Sequence, residues 1–590
     1  MVCDICERRC VLQEDEVGAC NRYKLENSQM VECFPNLYLV TAPISAETMP
    51  VLHFYPRAKF LQISTTGCNF DCSGCISTVV AKEMNEQSKA LKHLTPKQII
   101  QKALELKCDG IAFLMNDPLA SFHTFLEVCK LAKQNNLLTG CSTNGYFTQE
   151  SLEKLSAYID FINVGLKGLS KEVYQSCGAR SYKPVLKNIE MIHKKGIHLE
   201  IACIHKKGNE DEVVEIAKLL RNYSKDIPLQ LMRFIPIDDA DIQDEPSIKE
   251  SEELHKRVRE ILNYVYLFNS PGSKCLNTYC PECKALIFER DFYGPMGAKL
   301  RKIQNFNQGY CRHCNTKIAV EGEVSEDIFD EDGFEGGYPM TRALEIVEGT
   351  LAALGVKEQK LITKCWEELL SNNGLKKLHV SIQNFDAYSQ TILYLAKIVD
   401  KEENARKLLS YMENIVKTIT SQIPKDVTAP QVYYTMGKPL FALEDDRLEN
   451  QLIELIGGIS INKFLHIDGR PGRRISAETL NALNPDIIFI SSFLDNPSND
   501  FYEECLEEGL HVKAVENKQI YNHLAPCFDF GSPRWILGLM YIANILYPQV
   551  FHFDVYKEAE NFYQKFYNHN FVLKDVNRSF AKPYKDYKVS

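Results

Sequence analysis

The sequence predicts two α/β units in series, and three observations carry that prediction. Strand-like and helix-like stretches alternate between residues 60 and 235, the pattern of a parallel sheet with helical crossovers. Residues 321–337 then hold eight acidic residues and four glycines among few apolar ones, too little to build a core, so they read as a solvated acidic linker. Of 21 cysteines, 18 precede residue 321 and only Cys365, Cys505 and Cys527 follow it, so the two halves differ in chemistry. At 590 residues the chain exceeds what one hydrophobic core supports.

Composition narrows the function classes. Hydrophobic content of 45% and charged content of 25% are those of a soluble globular protein. A formal net charge of −10 leaves no basic footprint, which argues against nucleic acid as a partner. No apolar run approaches the ~20 residues that span a bilayer, so no membrane insertion is expected. The start, Met1-Val2-Cys3-Asp4-Ile5-Cys6, lacks the apolar stretch of a signal peptide, and a cytoplasmic location is expected. In a reducing cytosol, clustered cysteines point to metal ligation rather than disulfides.

In the first half the candidate strands are 60–66, 110–115, 137–143, 159–166, 197–204 and 229–235. Amphipathic runs at 121–134, 151–158, 182–195 and 210–223 lie between them. The alternation leaves a partial barrel and a doubly wound sheet both open. After the first strand and Gly67 comes Cys68-Asn69-Phe70-Asp71-Cys72-Ser73-Gly74-Cys75. Three thiolates at this spacing can hold a cubic iron–sulfur cluster and leave its fourth iron without a protein ligand, where a small molecule can coordinate. On spacing alone a zinc loop is the alternative. Two further sets flank this region, Cys3-x2-Cys6-x3-Cys10-x9-Cys20 and Cys280-x2-Cys283 with Cys311-x2-Cys314. Each supplies four soft thiolates, enough to close a zinc, iron or iron–sulfur site, for structural stapling or for electron relay.

Further motifs follow in order: Val17-Gly18-Ala19-Cys20-Asn21-Arg22, the cluster loop, Met115-Asn116-Asp117-Pro118, Thr143-Asn144-Gly145-Tyr146, and Asp160-Phe161-Ile162-Asn163-Val164-Gly165-Leu166-Lys167. Cys177-Gly178-Ala179-Arg180, Arg233-Phe234-Ile235-Pro236 and Asn277-Thr278-Tyr279-Cys280-Pro281-Glu282-Cys283 complete the set. With these, residues 1–320 resemble the AmmeMemoRadiSam system radical SAM enzymes, relatives of pyruvate formate-lyase activating enzyme. The resemblance implies a partial (βα)6 barrel over 56–272, between a cysteine-rich segment (1–55) and a zinc-ribbon- or rubredoxin-like knuckle (273–320). It implies a [4Fe-4S] cluster on Cys68, Cys72 and Cys75 with S-adenosylmethionine (SAM) on the open iron. Asn116 and Asp117 would lie near the SAM amino group, and Asn144 and Lys167 at later strand ends would contact SAM or substrate; Asp117 and Lys167 are the catalytic candidates. An electron donor such as ferredoxin or flavodoxin is implied, as is reductive cleavage of SAM to a 5′-deoxyadenosyl radical that abstracts hydrogen from substrate. The chain departs from the family at Asp117 (usually glutamate), Gly165 (usually acidic), Ile235 (often histidine) and residues 204–211. None of these touches the cluster thiols, so SAM cleavage stays expected while substrate choice does not carry over.

In the second half, Phe385, Tyr388, Ile392, Leu395 and Val399, then Leu408, Met412, Ile415 and Ile419, recur at helical spacing, with an interruption at 400–404. A strand at Gln431-Val432-Tyr433-Tyr434, a helix closed by Gly457-Gly458, and a helix–turn–strand run over 475–491 follow. With 512–521 and the segment Gly531-Ser532-Pro533-Arg534-Trp535, this order resembles the C-terminal lobe of class III periplasmic-binding proteins, the iron-siderophore, haem and cobalamin receptor type with a helical backbone. Residues 338–590 would form that domain, its first lobe reduced or missing because too few residues precede the long helices. Met436, His523, Cys527, Asp529 and Arg534 fall on expected cleft loops. Met436, Cys527 and Arg534 are the candidate ligand contacts, the two sulfurs suited to a soft metal. Three readings follow. In the first, a radical enzyme modifies a metallocofactor or related small molecule held by the second half. In the second, an activating enzyme acts on a partner protein. The third is a non-catalytic iron or redox sensor or metal-complex carrier.

Overall fold

The computed structural model describes all residues except 85, 237–239, 332–336, 372–373, 384, 468–470, 492–493, 495–497, 524–530 and 572–590. The chain divides into two compact units, residues 1–246, 250–269 and 274–338 in one, and 247–249, 270–273 and 339–590 in the other.

The first unit is built on eight strands: β1 (Val40–Ser45), β2 (Lys59–Ser64), β3 (Gly110–Phe113), β4 (Leu138–Thr143), β5 (Phe161–Leu166), β6 (His198–His205), β7 (Leu229–Arg233) and β8 (Val265–Phe268). They lie side by side in chain order, β2 to β8 parallel and β1 antiparallel on the edge. An order that never reverses is that of barrel winding, not of a doubly wound sheet with its switch point. The edge strands β1 and β8 are not paired, so the barrel is open. Leu61, Ile63, Ile111, Phe113, Ile162, Val164 and Ile201 pack with the helices in one core. The alternate residues therefore face the lumen. On the adjacent strand β4, Gly140 pairs with Phe161 and makes room for its ring: a Cβ there would lie 2.0 Å from it.

Two strands go beyond the (βα)6 expectation. β8 is a four-residue apolar run, which periodicity cannot tell from a helix segment. β1 contains Pro43, which a central strand would exclude but an edge tolerates. The acidic stretch also differs from a solvated linker over its described part. Tyr55 N–H donates to the Glu321 carbonyl, and the buried Glu331 carboxylate accepts from Ser45 N–H at 2.8 Å and pairs with Lys299. Burying both charges costs desolvation that their pairing must offset, so this part of the stretch is packed into the fold rather than solvated. Beside the barrel, Thr278–Tyr279, Leu286–Phe292 and Ala298–Ile303 make a three-stranded antiparallel sheet, and Phe306–Asn307 pairs with Tyr310–Cys311.

The second unit opens with five helices, Gly337–Ala353, Gln359–Leu370, Gly374–Ser381, Phe385–Ile398 and Glu402–Thr420. Asp400, at φ +57°, turns the chain between the last two. Among the described residues before 431 this unit has no strand, so whatever first lobe it keeps is helical. Its sheet runs in the order Gly472–Arg474, Phe441–Leu443, Gln431–Thr435, Ile487–Ile490, Ile520–Asn522, with Ile459–Ser460 also paired to Gln431–Thr435. The helix Trp535–Leu546 is buried around almost its whole circumference. Among the described residues no helix is long and apolar enough to cross a membrane.

Candidate metal and cofactor sites

The C-terminal ends of β2, β3 and β4 meet at the cluster loop. A strained turn ends β3: Met115 sits at φ +71° and Asn116 N–H donates back to the Leu114 carbonyl. That turn aims Asn116 across at the residues before Cys68. Its Oδ1 accepts from Thr65 N–H, and its Nδ2 donates to Thr65 Oγ1 and the Gly67 carbonyl, each at 3.0 Å. Asp117 caps the short helix Pro118–Ser121 through Leu119 N–H and accepts from Thr143 Oγ1 and Asn144 N–H, the last at 2.6 Å. Asn144 in turn donates from Nδ2 to Asn69 Oδ1 at 2.7 Å, inside the cluster loop. The structure thus brings Asn116, Asp117 and Asn144 together as a brace behind Cys68. Asn116 is 4% exposed and Asp117 6% exposed. Burial pushes the Asp117 carboxyl up, against the hydrogen bonds that favour its ionised form.

The three thiols are held half-exposed on this loop. Cys68 Sγ accepts from Phe70 N–H at 3.4 Å. Phe70 itself points inward, edge-on to Tyr146 and Tyr174. Burial pushes the Cys68 and Cys75 thiols up. Cys72 goes the other way, down to about 6, chiefly through a hydrogen bond from the Cys177 thiol and then the nearby Lys167 and Lys82 ammonium groups. Lys82 also pairs with Asp71 at 2.8 Å and donates to the Cys72 carbonyl. Lys167, just past β5, is half-buried; burial works against its charge, but Cys72, Cys177, Cys75 and Cys68 together hold it above its usual range. Lys167 has no carboxylate ion-pair partner among the described residues. Its ammonium lies close enough to act on both the loop thiols and the Asp117 carboxylate. Sequence reading gives Cys177 no role, yet its backbone carbonyl also accepts from Asp71 N–H at 2.9 Å. Only the fold brings residue 177 to residue 72, so no spacing signal exists for it.

Of the other two cysteine sets, the one at residues 280–314 is drawn tightly together. Cys280 Sγ lies 3.5 Å from Cys314 Sγ and Cys283 Sγ lies 3.6 Å from Cys311 Sγ, with all four sulfurs within 4.8 Å of one another. A single tetrahedral metal with bonds of about 2.3 Å needs sulfurs about 3.8 Å apart. The knuckles match locally: Cys280 N–H bonds the Ala285 carbonyl and Cys311 N–H the Thr316 carbonyl, while Lys284 and Asn315 take the same left-handed turn. At the N-terminus, Cys3, Cys6, Cys10 and Cys20 each lie within electrostatic reach of the other three, and burial pushes Cys6 up to about 12 and Cys20 up to about 11.

In the second unit the candidates do not form a comparable group. Met436 is fully buried at the end of Gln431–Thr435. Arg534 is committed to Ser532 Oγ, Tyr563 Oη and Glu345 Oε2 at 3.1–3.4 Å. Cys527 and Asp529 lie outside the described residues. His523 is buried against Tyr434 Oη, and burial pushes it down to about 3, so its ring is neutral.

Residues 63–220 match the family model described as Radical SAM superfamily. These residues form a radical SAM domain. The protein is an enzyme of that chemistry, and a second domain, matched over residues 367–523 by the Periplasmic binding protein model, follows it. An uncharacterised protein of Methanocaldococcus jannaschii is 28% identical over 327 residues, covering 54% of this chain and 95% of that one. Another protein of the same organism, provisionally named a glycyl-radical enzyme activating enzyme, is 26% identical over 224 residues, 36% of this chain and 82% of its own. The Fe(3+)-citrate-binding protein of Bacillus subtilis is 23% identical over 159 residues, 25% of this chain. The chain spans 48% of that relative's length. Family membership implies SAM and a [4Fe-4S] cluster, and the residues present fit them: three soft thiols on one loop, beside an ammonium that can offset their charge.

Proposed function

We propose that the enzyme cleaves SAM reductively and uses the resulting radical on a metallocofactor, or a related small metal-binding molecule, docked by its second domain. The observation that carries this reading is the joining of the two domains in one chain. A domain like a solute receptor carried in the same chain as a radical SAM domain supports delivery of a small ligand to the radical centre. Similarity to an Fe(3+)-citrate-binding protein favours a metal complex as that ligand.

When bound, the cluster supplies the electron that breaks a carbon–sulfur bond of SAM. The chain's own residues do the rest. Cys68, Cys72 and Cys75 hold the cluster, and Lys167 offsets thiolate charge and offers a cation to the carboxylate of SAM. Asn116 fixes the backbone before Cys68, and Asp117 orients the Asn144 turn that grips Asn69. The Cys280 group would hold one zinc or iron ion that staples the knuckle. The reading calls for a reducing compartment, the cytoplasm, and a ferredoxin- or flavodoxin-type donor.

A second reading is favoured by the relative named as an activating enzyme: the radical abstracts hydrogen from a glycine of a partner protein. Full-length enzyme given SAM, reductant and in turn ferric citrate, haem or cobalamin separates the two. The first reading predicts that one of these raises 5′-deoxyadenosine formation at least tenfold. No response to any metal complex, with deuterium passing from a glycine-labelled partner protein into 5′-deoxyadenosine, would replace it with the second.

A further inference from the structure

The N-terminal cysteine segment does not stand apart from the radical site; it grips the loop on both sides of Cys68. On one side the Cys20 carbonyl lies against Gly67, 3.0 Å from where a Cβ would stand, with Arg22 Cγ at 3.2 Å. Gly67 adopts φ +85°, so the close approach and the backbone both demand glycine. On the other side Arg8 Nη1 donates to the Asn69 carbonyl at 2.9 Å. Asn69 is the residue that Asn144 also holds. Both contacts come from residues within two positions of a thiol of the N-terminal set, Cys6 and Cys20.

The segment that makes these contacts is anchored on the barrel through buried Cys3, Ile5 and Cys6 and through Arg22, which bonds the Ala120 and Phe34 carbonyls and Ser121 Oγ, but it has little regular structure within itself. Cys3 N–H bonds the Cys10 carbonyl at 2.8 Å, Cys6 makes a single bridge to Phe147, and Glu7 N–H donates to the Tyr146 carbonyl at 2.9 Å. Ser151 Oγ adds a bond to the Ile5 carbonyl. Over residues 1–22 there is no strand or helix, only isolated bridges and turns. The segment carries four thiols, and its backbone bond from Cys3 N–H to the Cys10 carbonyl and the packing of Cys10 Sγ against Gly18 bring Cys3 and Cys10 back toward the turn before Cys20. In small irregular segments metal binding free energy is folding free energy. Asn21, immediately after Cys20, takes the left-handed turn that Lys284 and Asn315 take after the second cysteine of each knuckle.

We propose that Cys3, Cys6, Cys10 and Cys20 bind a thiophilic metal centre whose occupancy locks the radical-cluster loop through Cys20 against Gly67 and Arg8 on Asn69. The proposal rests on the radical SAM reading for the identity of that loop, but not on the substrate. Metal entry displaces the thiol protons to solvent, the four sulfurs become ligands, and the segment carrying Arg8 and Cys20 becomes rigid. The loop then holds its own three thiols in place. Loss of the N-terminal metal removes the Cys20 and Arg8 contacts, leaves Gly67 and Asn69 to the Asn116 and Asn144 bonds, and loosens Cys68 between them.

The test uses the full chain. In a Cys68→Ala/Cys72→Ala/Cys75→Ala background, elemental analysis should find metal beyond the one ion of the Cys280 group. Adding Cys3→Ser and Cys10→Ser should remove that extra metal. Zinc or iron in this pool both support the site, and the assay tells them apart; no extra metal overturns it. With the cluster thiols intact, Cys3→Ser/Cys10→Ser should speed amide exchange across residues 65–76 by at least ~10-fold. It should also speed loss of cluster iron to a chelator. Arg8→Ala, which keeps all four thiols and their metal, should raise the same exchange by a smaller factor, which separates the lock from general unfolding. A protein stripped of the N-terminal metal whose loop exchanges and retains iron like the parent would overturn the coupling. Failure of the radical reading looks different: fully metallated enzyme that makes no 5′-deoxyadenosine.

Discussion

Asn116→Ala tests the brace behind the cluster loop. The side chain makes three hydrogen bonds of 3.0 Å, one accepted from Thr65 N–H and two donated to Thr65 Oγ1 and the Gly67 carbonyl, and it is 4% exposed. Each such bond is worth about 1 kcal/mol net, and a buried partner left unpaired costs more. Truncation should therefore destabilise the closed loop by about 3 kcal/mol, a factor of ~10² in its opening equilibrium. Thr65 N–H is its own reporter, because it donates to Asn116 Oδ1. Hydrogen exchange of peptides spanning Thr65, followed by mass spectrometry, should lose that much protection, while peptides in helix Glu210–Tyr223 keep theirs. Asn116→Asp retains the acceptor for Thr65 N–H but loses the donor to the Gly67 carbonyl, so it should fall between the two. Unchanged protection in Asn116→Ala would refute the reasoning, since no other described group can take over all three bonds without moving the loop.

Three further outcomes follow from the geometry. Gly140→Ala would drive a methyl into the Phe161 ring at 2.0 Å and should destabilise the first unit by about 1–3 kcal/mol, read as a lower unfolding temperature. Pairing it with Phe161→Leu should restore part of the loss. Cys283→Ser should release one metal ion per chain, measured by elemental analysis, without removing the iron held by Cys68, Cys72 and Cys75. At His198, burial opposes the charged ring, but hydrogen bonds to Glu200 and Glu321 outweigh it and raise its folded pKa. Its stabilisation should be full below the unfolded value of about 6.5 and be lost as pH rises through the higher folded value. His198→Asn should flatten stability over that window.

Much of the first half was legible because a parallel α/β chain writes each element locally. Val164 and Ile162 alternate with lumen residues, and the amphipathic runs at 121–134 and 210–223 become the helices Phe122–Gln134 and Glu210–Tyr223. Alternation alone left barrel and doubly wound orders open, since strand order is a long-range property. Pro43 hid the edge strand and the four-residue run at Val265–Phe268 hid the last one, each for the local reason already given. The cluster cysteines were legible from spacing, whereas Cys177 was not, because its meeting with Cys72 depends on how helix Lys171–Ser176 ends. Asn116 and Asp117 lie beside the cluster loop, but their side chains are spent on the protein's own backbone and hydroxyl groups, which no motif reveals. In the second half, Arg534 looked like a cleft residue in a polar loop; Glu345, from a helix nearly two hundred residues earlier, claims it. The acidic composition of 321–331 concealed Glu331, because a single buried lysine, Lys299, turns a solvated charge into a packed one.

The most direct test of the central claim is anaerobic reconstitution of the full chain with iron and sulfide, followed by reductant and SAM, with 5′-deoxyadenosine measured by mass spectrometry. The account predicts that 5′-deoxyadenosine forms and that Cys68→Ala, Cys72→Ala or Cys75→Ala each abolish it while metal at the Cys280 group remains. A cluster that assembles on these three thiols but never cleaves SAM would contradict it.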